Sequence, residues 1–154
     1  MSRQDKVREF MRAAHLQING SPGLYNVDLL LRSKLLLEEA LEFCEACGYD
    51  PHVNYRLNTA SGKMDRVVFW GRQKRPPDMV KMIDALIDVD YISEGSKCSI
   101  GIEGDAYFDE VHAANMCKLV PEVNMVDGKV IKPEGWQPPD IRKILDVEIA
   151  KHDK

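Results

Sequence analysis

The 154-residue sequence has little of the features that would place it in a membrane, secreted or nucleic-acid-binding class. Its Leu-rich stretch at residues 29–37 is interrupted by Arg32, Ser33 and Lys34, so it is too short and too polar to cross a bilayer. The charged residues 1–10 lack the apolar segment of a secretory signal, and a cytoplasmic location is expected. The formal net charge of -4 predicts no general affinity for nucleic acid polymers or membranes.

Cysteine is also scarce, and only Cys44 and Cys47 form a CxxC pair. A zinc site needs four ligands, and no second CxxC or histidine pair follows in the sequence. Stable disulfides are uncommon in a reducing compartment. The four cysteines are therefore interpreted as buried or partly buried thiols.

The residues that are present fit one globular domain over residues 1–154. Hydrophobic residues make up 44% of the chain and charged residues 30%, and this length can bury a core of its own. Apolar periodicity predicts helices over residues 3–18, 27–47, 78–95, 105–119 and 138–151, with Asn26 or Asp28 as the N-cap of the second. The fold class is therefore all-α.

Two segments depart from the helical pattern. Alternation at residues 53–57 and 66–70, with a turn at 61–63, predicts a small β-hairpin excursion at about 50–75. Residues 127–129 read as a tight turn, which suits a second small hairpin.

Two of the predicted helices carry carboxylates among apolar residues. Glu38, Glu39 and Glu42, with Glu45, fall within about 120° of one another around the second helix, and leucines and Phe43 flank them. Because the second helix is apolar around most of its circumference, we expect it to be buried.

The third helix places Asp84 and Asp88 on one face, four residues apart. Unpartnered buried carboxylates cost several kcal/mol, so two such helices could share a hard cation, with oxygen ligands favouring Mg²⁺ or Mn²⁺. The residues alone leave an alternative open, in which the acids face solvent or pair with Arg32, Lys34 or Lys81.

A third set of polar residues follows on the fourth helix and beyond it. Asn115 and Lys118 lie side by side at a spacing of three, where they could hold a phosphate and a sugar or base. Lys132, which precedes Pro133 and lies near Trp136 in sequence, is a second candidate phosphate contact. The alternative is an ordinary surface lysine and a helix-terminal asparagine.

Four segments in this order, residues 38–42, 84–91, 111–118 and 127–136, resemble the MazG-like all-α nucleoside triphosphate pyrophosphohydrolases, and most of all their phosphoribosyl-ATP pyrophosphohydrolase-like branch. The resemblance implies a four-helix core assembled as a homodimer or homotetramer. It also implies Mg²⁺-dependent hydrolysis of a (deoxy)nucleoside triphosphate to the monophosphate and pyrophosphate, in a nucleotide-pool house-cleaning role.

The same resemblance implies roles for single residues. Glu39, Glu42 and Asp88 would bind the metal, and Glu38 would orient or deprotonate the attacking water. The positions expected to meet phosphate and nucleoside are Asn115, Lys118 and Lys132.

One position departs from the family pattern. The second acidic motif commonly reads Glu-x-x-Asp, which would place an acid at residue 85, where this chain has Ala85. Either Asp84 reaches the metal from its neighbouring position, or the site has lost a ligand. Two other functions therefore stay open: phosphoribosyl-ATP hydrolysis, and a non-catalytic helical module that binds metal or nucleotide.

Overall fold

The computed structural model describes residues 1–57, 64–70, 72–119, 123–126 and 128–152. The described residues form five α-helices, which confirms the all-α class. The helices are α1 (Arg3–Ala13), α2 (Leu29–Ala46), α3 (Met79–Ile100), α4 (Gly104–Met116) and α5 (Ile141–His152). A short 3-10 turn, Cys117–Leu119, follows α4. None of the helices in these ranges is long and apolar enough to cross a membrane.

Two short antiparallel ribbons interrupt the helices. β1 (His52–Leu57) pairs with β2 (Met64–Trp70), with an irregular register between Arg56 and Leu57. This pairing confirms the predicted hairpin, whose predicted turn at 61–63 lies outside the described residues. β3 (Met125–Val126) pairs with β4 (Lys129–Val130), and Gly128 adopts a positive φ of 74° between them. Asp127 lies outside the described residues.

The chain divides into two compact units. One contains residues 28–93, and the other contains residues 1–27 and 94–154, so α3 contributes to both. In the unit of residues 1–27 and 94–154, Val7 and Met11 of α1 pack with Cys98 of α3, and Ile18 packs against them. The prediction of a single domain stays a prediction.

The first helix is shorter than its apolar spacing predicts. α1 ends at Ala13 because His15 adopts a left-handed conformation with φ of 54°. The amides of His15 and Leu16 then donate to the carbonyls of Arg12 and Met11, which is the Schellman arrangement that ends a helix. Ile18 still packs on the core, but from the loop.

The second helix begins as predicted but is not buried as predicted. Asp28 is its N-cap, and the Asp28 carboxylate accepts a hydrogen bond from the Leu31 amide at 2.9 Å. Among the residues of α2, Ala46 alone is buried, whereas Leu30 is 80% exposed and Leu37 55% exposed. The expectation of a buried helix is therefore wrong for the single chain.

All four cysteines are free thiols, as interpreted from the sequence. Cys98 is buried in the core, and this burial raises its pKa. Cys44 and Cys47 are partly buried. Cys117 is exposed, which corrects the expectation that every thiol would be at least partly buried.

Candidate active site

Side-chain caps fix where the two acid-bearing helices begin. The Asp28 cap starts α2, which carries Glu38, Glu39 and Glu42 in its middle turns. Asp78 precedes α3, and its carboxylate accepts hydrogen bonds from the amides of Val80 at 3.0 Å and Lys81 at 3.2 Å. Such caps satisfy amides that have no partner inside the helix. Asp84 and Asp88 follow in the next turns of α3.

Backbone hydrogen bonds tie the end of α2 to the start of α3. The Asp78 amide donates to the Ala46 carbonyl at 2.9 Å, and the Lys74 amide donates to the Gly48 carbonyl at 2.8 Å. Gly48 adopts a φ of +89°, and a Cβ atom there would lie 2.1 Å from the Arg75 carbonyl oxygen. Only glycine fits this close approach without strain, so Gly48 fixes the segment that leads into α3.

The pKa of the Glu39 carboxyl group is raised by acids on both helices. Its pKa is raised first by burial and then by the charges of Glu42 and Asp88. The charges of Glu38 and Asp84 raise it further. The structure therefore brings the other four predicted acids close enough to Glu39 to repel its carboxylate. We call these five residues the acidic cluster.

Cations do little to neutralise the acidic cluster. Glu38 forms an ion pair with Lys34 at 3.5 Å, and both side chains are about half exposed or more, so this pair contributes little. Within the described residues, the side chains of the other four acids form no hydrogen bond or ion pair. The alternative partners Arg32 and Lys81 therefore do not pair with them.

The donor set of the acidic cluster fits a hard divalent cation. Its ligands would all be carboxylate oxygens, which is what Mg²⁺ and Mn²⁺ prefer, and a cation would relieve the mutual repulsion that Glu39 reports. Across the described ranges, no three Asp, Glu, His or Cys side chains stand close enough together to hold a metal as they are placed. Binding would therefore require the carboxylates to turn toward a shared cation.

An open cavity of about 910 Å³ adjoins the acidic cluster in the unit of residues 28–93. Its lining includes both Asp84 and Ala85, and Ala85 is only 4% exposed. Asp84 therefore lines the same cavity as residue 85, the position at which the resemblance places an acid. Glu42 of α2 lines it as well, so residues of both helices meet there.

Two cations line the same cavity, Arg75 and Lys81. Arg75 is held at 2.9 Å by Asp50, which also accepts a hydrogen bond from Lys74 at 2.7 Å. The hydrogen bond from Lys74 is the first cause of the lowered pKa of Asp50. Sequence reasoning missed Arg75, because a basic residue in a loop after a strand carries no periodic signal. Its position depends on the backbone contact with Gly48.

The predicted phosphate and nucleoside contacts also come together, in the other unit, around Trp136. The Lys132 ammonium nitrogen lies 4.5 Å from the centroid of the Trp136 ring, and the Lys118 ammonium nitrogen lies 5.1 Å from it. Lys118 also donates a hydrogen bond to the side-chain oxygen of Asn115 at 2.6 Å. We call Asn115, Lys118, Lys132 and Trp136 the tryptophan cluster. The sequence placed Trp136 near Lys132 without indicating that it contacts both lysines.

Comparison with known protein families gives a match over most of the chain. A protein-family model described as phosphoribosyl-ATP pyrophosphohydrolase matches residues 7–115, well over half of the chain. That range contains the whole acidic cluster and ends at Asn115. No curated protein matches the chain.

Proposed function

Because the chain belongs to the phosphoribosyl-ATP pyrophosphohydrolase family, we propose that it hydrolyses a nucleoside triphosphate to the monophosphate and pyrophosphate with the help of Mg²⁺. Membership of this family makes the chain a pyrophosphohydrolase, an enzyme that acts on phosphoric anhydride bonds. Enzymes of this kind generally use divalent metal ions. A role in clearing unwanted nucleotides from the pool is part of the proposal.

The observation that carries the proposal is the cavity that Glu42 of α2 and Asp84 of α3 both line. Burial and the charges of the other four acids also raise the pKa of Glu39. Glu39, Glu42 and Asp88 would hold Mg²⁺, with Asp84 in place of the acid that is absent at Ala85. When bound, the ion would supply charge neutralisation on the phosphates and activation of water. Mn²⁺ is the alternative ion.

The remaining polar residues would act on water and substrate. Glu38 would accept a proton from the attacking water, since it belongs to the acidic cluster without being needed as a ligand. Lys118 and Lys132 would stabilise negative charge that develops on the phosphates, and Asn115 would contact the nucleoside.

Pyrophosphate release in Mg²⁺, abolished by EDTA and restored by added Mg²⁺, tests the activity directly. Glu42→Gln should abolish turnover and leave the helical circular dichroism unchanged, because the substitution removes a charge from an exposed side chain. Glu9→Gln, on an exposed position of α1, is the control and should keep wild-type turnover. Turnover near wild type in Glu42→Gln would contradict the proposed site.

The family match favours a second candidate substrate, phosphoribosyl-ATP. Hydrolysis of either substrate releases pyrophosphate, so product identification is needed. A panel of phosphoribosyl-ATP with ribo-, deoxy- and modified nucleoside triphosphates would separate the two candidates. Tight nucleotide binding with no pyrophosphate release from any of them would instead favour a non-catalytic binding module.

We also propose that the protein is a homodimer or homotetramer. Large apolar side chains are exposed on both acid-bearing helices: Leu30 and Leu37 of α2, and Val80, Ile83 and Ile87 of α3. Several large exposed apolar side chains on one helix are typical of an interface between protein chains. A second copy would cover these helices and explain why α2 is apolar around most of its circumference.

A further inference from the structure

Trp136 is fixed in place by two hydrogen bonds. Its indole nitrogen donates to the Ala114 carbonyl on α4 at 2.7 Å, and its backbone amide donates to the Pro133 carbonyl at 3.1 Å. The second bond closes a turn in which Gly135 has a φ of 77°. Lys118 lies in the 3-10 turn that follows α4, and its ammonium nitrogen is 5.1 Å from the centroid of the Trp136 ring. The ring is therefore held beside Lys118.

Both lysines of the tryptophan cluster lie against this one ring. Lys132 is 4.5 Å and Lys118 is 5.1 Å from the centroid, within the range of a cation–π interaction. The two ammonium nitrogens can be no more than 9.6 Å apart, because both distances are measured to the same point. Two like charges held at such a separation repel, and they favour an anion with more than one charge.

The two ammonium groups keep most of their hydrogen-bonding capacity. Lys118 gives one of its three N–H donors to Asn115. Among the residues that the structure describes, neither Lys118 nor Lys132 pairs with a carboxylate. The tryptophan ring attracts cations through its face but accepts no full charge, so it can hold both lysines without neutralising them.

We propose that Trp136 is a positioning residue, which holds Lys118 and Lys132 together as a paired binding site for the diphosphate end of the substrate. This inference rests on the proposed function. A free lysine side chain loses rotamer freedom when it binds an anion, and a side chain that is already held in place loses less. Trp136 would therefore increase phosphate affinity without touching the phosphates itself.

Fluorescence of Trp136 can be measured alone, because the chain has only one other tryptophan, Trp70, which Trp70→Phe removes. Titration of this variant with inorganic triphosphate should change the Trp136 emission, and adenosine should not. Replacement of Trp136 by fluorinated tryptophans weakens cation–π attraction and keeps the ring shape. The dissociation constant for triphosphate should rise at least threefold across the series from unfluorinated to tetrafluorinated tryptophan.

Kinetics supply the second measurement. Trp136→Leu should raise KM for the nucleotide about tenfold and change kcat less than threefold. The KM of Trp136→Phe should lie between those of the wild type and Trp136→Leu. Equal triphosphate affinity across the fluorinated series would overturn the inference, even if Trp136→Leu fails to fold. An emission change with adenosine and none with triphosphate would also overturn it and indicate base stacking.

The inference and the proposed function can fail separately. If wild-type protein releases no pyrophosphate from any nucleotide, the proposed function fails, while the triphosphate titration still tests Trp136. If wild type is active but neither fluorination nor Trp136→Leu changes phosphate affinity or KM, the inference alone fails.

Discussion

The charges of the other four acids repel Glu39, so a neutral residue at this position should raise stability and lower activity. Glu39→Gln removes a charge that four neighbours disfavour, and each like-charge pair costs a few tenths of a kcal/mol. In EDTA, the thermal midpoint of this variant should therefore rise by a few degrees. Its rate of pyrophosphate release in Mg²⁺ should fall at least about 100-fold, the loss of several kcal/mol of transition-state stabilisation.

Glu9→Gln is the matched control and should change neither quantity. A lower thermal midpoint for Glu39→Gln in EDTA would show that Glu39 makes a stabilising contact, and that the cluster is not the repulsive set described above.

Asp84 and Ala85 line one cavity, so moving the acid from residue 84 to residue 85 is a test of the proposed site. Asp84→Asn should lower turnover, because we propose that Asp84 replaces the acid absent at residue 85. Adding Ala85→Glu to that variant should restore at least part of the turnover, since both positions line one cavity. The measurement is pyrophosphate release at saturating Mg²⁺.

Ala85→Gln in the same background is the control, because it adds a side chain of similar size without the charge. Equal turnover with glutamate and glutamine at residue 85 would contradict the exchange. Full turnover in Asp84→Asn alone would remove Asp84 from the site.

Single residues differ in how far the sequence reveals them. Glu38, Glu39 and Glu42 could be placed on one side of α2 because helical spacing fixes their directions. The neighbourhood of Trp136 could not be predicted in this way. It depends on a turn that the Trp136 amide closes on the Pro133 carbonyl, in which Gly135 has a positive φ. It also depends on a carbonyl of α4 that lies 22 residues earlier in the chain.

At the scale of elements, Gly48 decides how the end of α2 meets the segment that leads into α3. Gly48→Ala should lower the free energy of unfolding by at least about 1 to 3 kcal/mol, because the new Cβ would combine a strained φ with an overlap on the Arg75 carbonyl. Urea denaturation measures this change.

Gly20→Ala is the control, since nothing lies within 4 Å of the position where its Cβ would be. It should change the free energy of unfolding by less than about 1 kcal/mol. Equal effects of the two substitutions would contradict the tight approach at Gly48.

The ends of α1 and α3 were not predicted correctly from the sequence. The sequence predicted that α3 ends near Gly95, but the helix continues to Ile100, and Gly95 is buried inside it. Glycine ends a helix when it adopts a left-handed conformation, and a buried helical glycine does not. α1 ends early for the opposite reason, since His15 takes the left-handed conformation that glycine usually supplies.

At the scale of the whole molecule, the sequence predicted the class of fold but not which surfaces the single chain covers. Apolar periodicity shows that α2 can be buried, and it does not show whether its own chain or another copy buries it. In the structure Leu30 and Val80 are 80% and 78% exposed. The expected assembly therefore has its physical basis in the faces of α2 and α3 that the chain leaves uncovered.

A charge on one of these faces should separate the copies. Leu30→Asp is expected to shift the protein from a dimer or tetramer toward the monomer in light scattering and sedimentation, because burying an unpaired carboxylate at an interface costs several kcal/mol. Leu24→Asp is the control, since Leu24 is 65% exposed but lies in a loop outside the two helices. A wild-type protein that stays monomeric at tens of micromolar would contradict the proposed assembly. Equal dissociation by both substitutions would place the interface elsewhere.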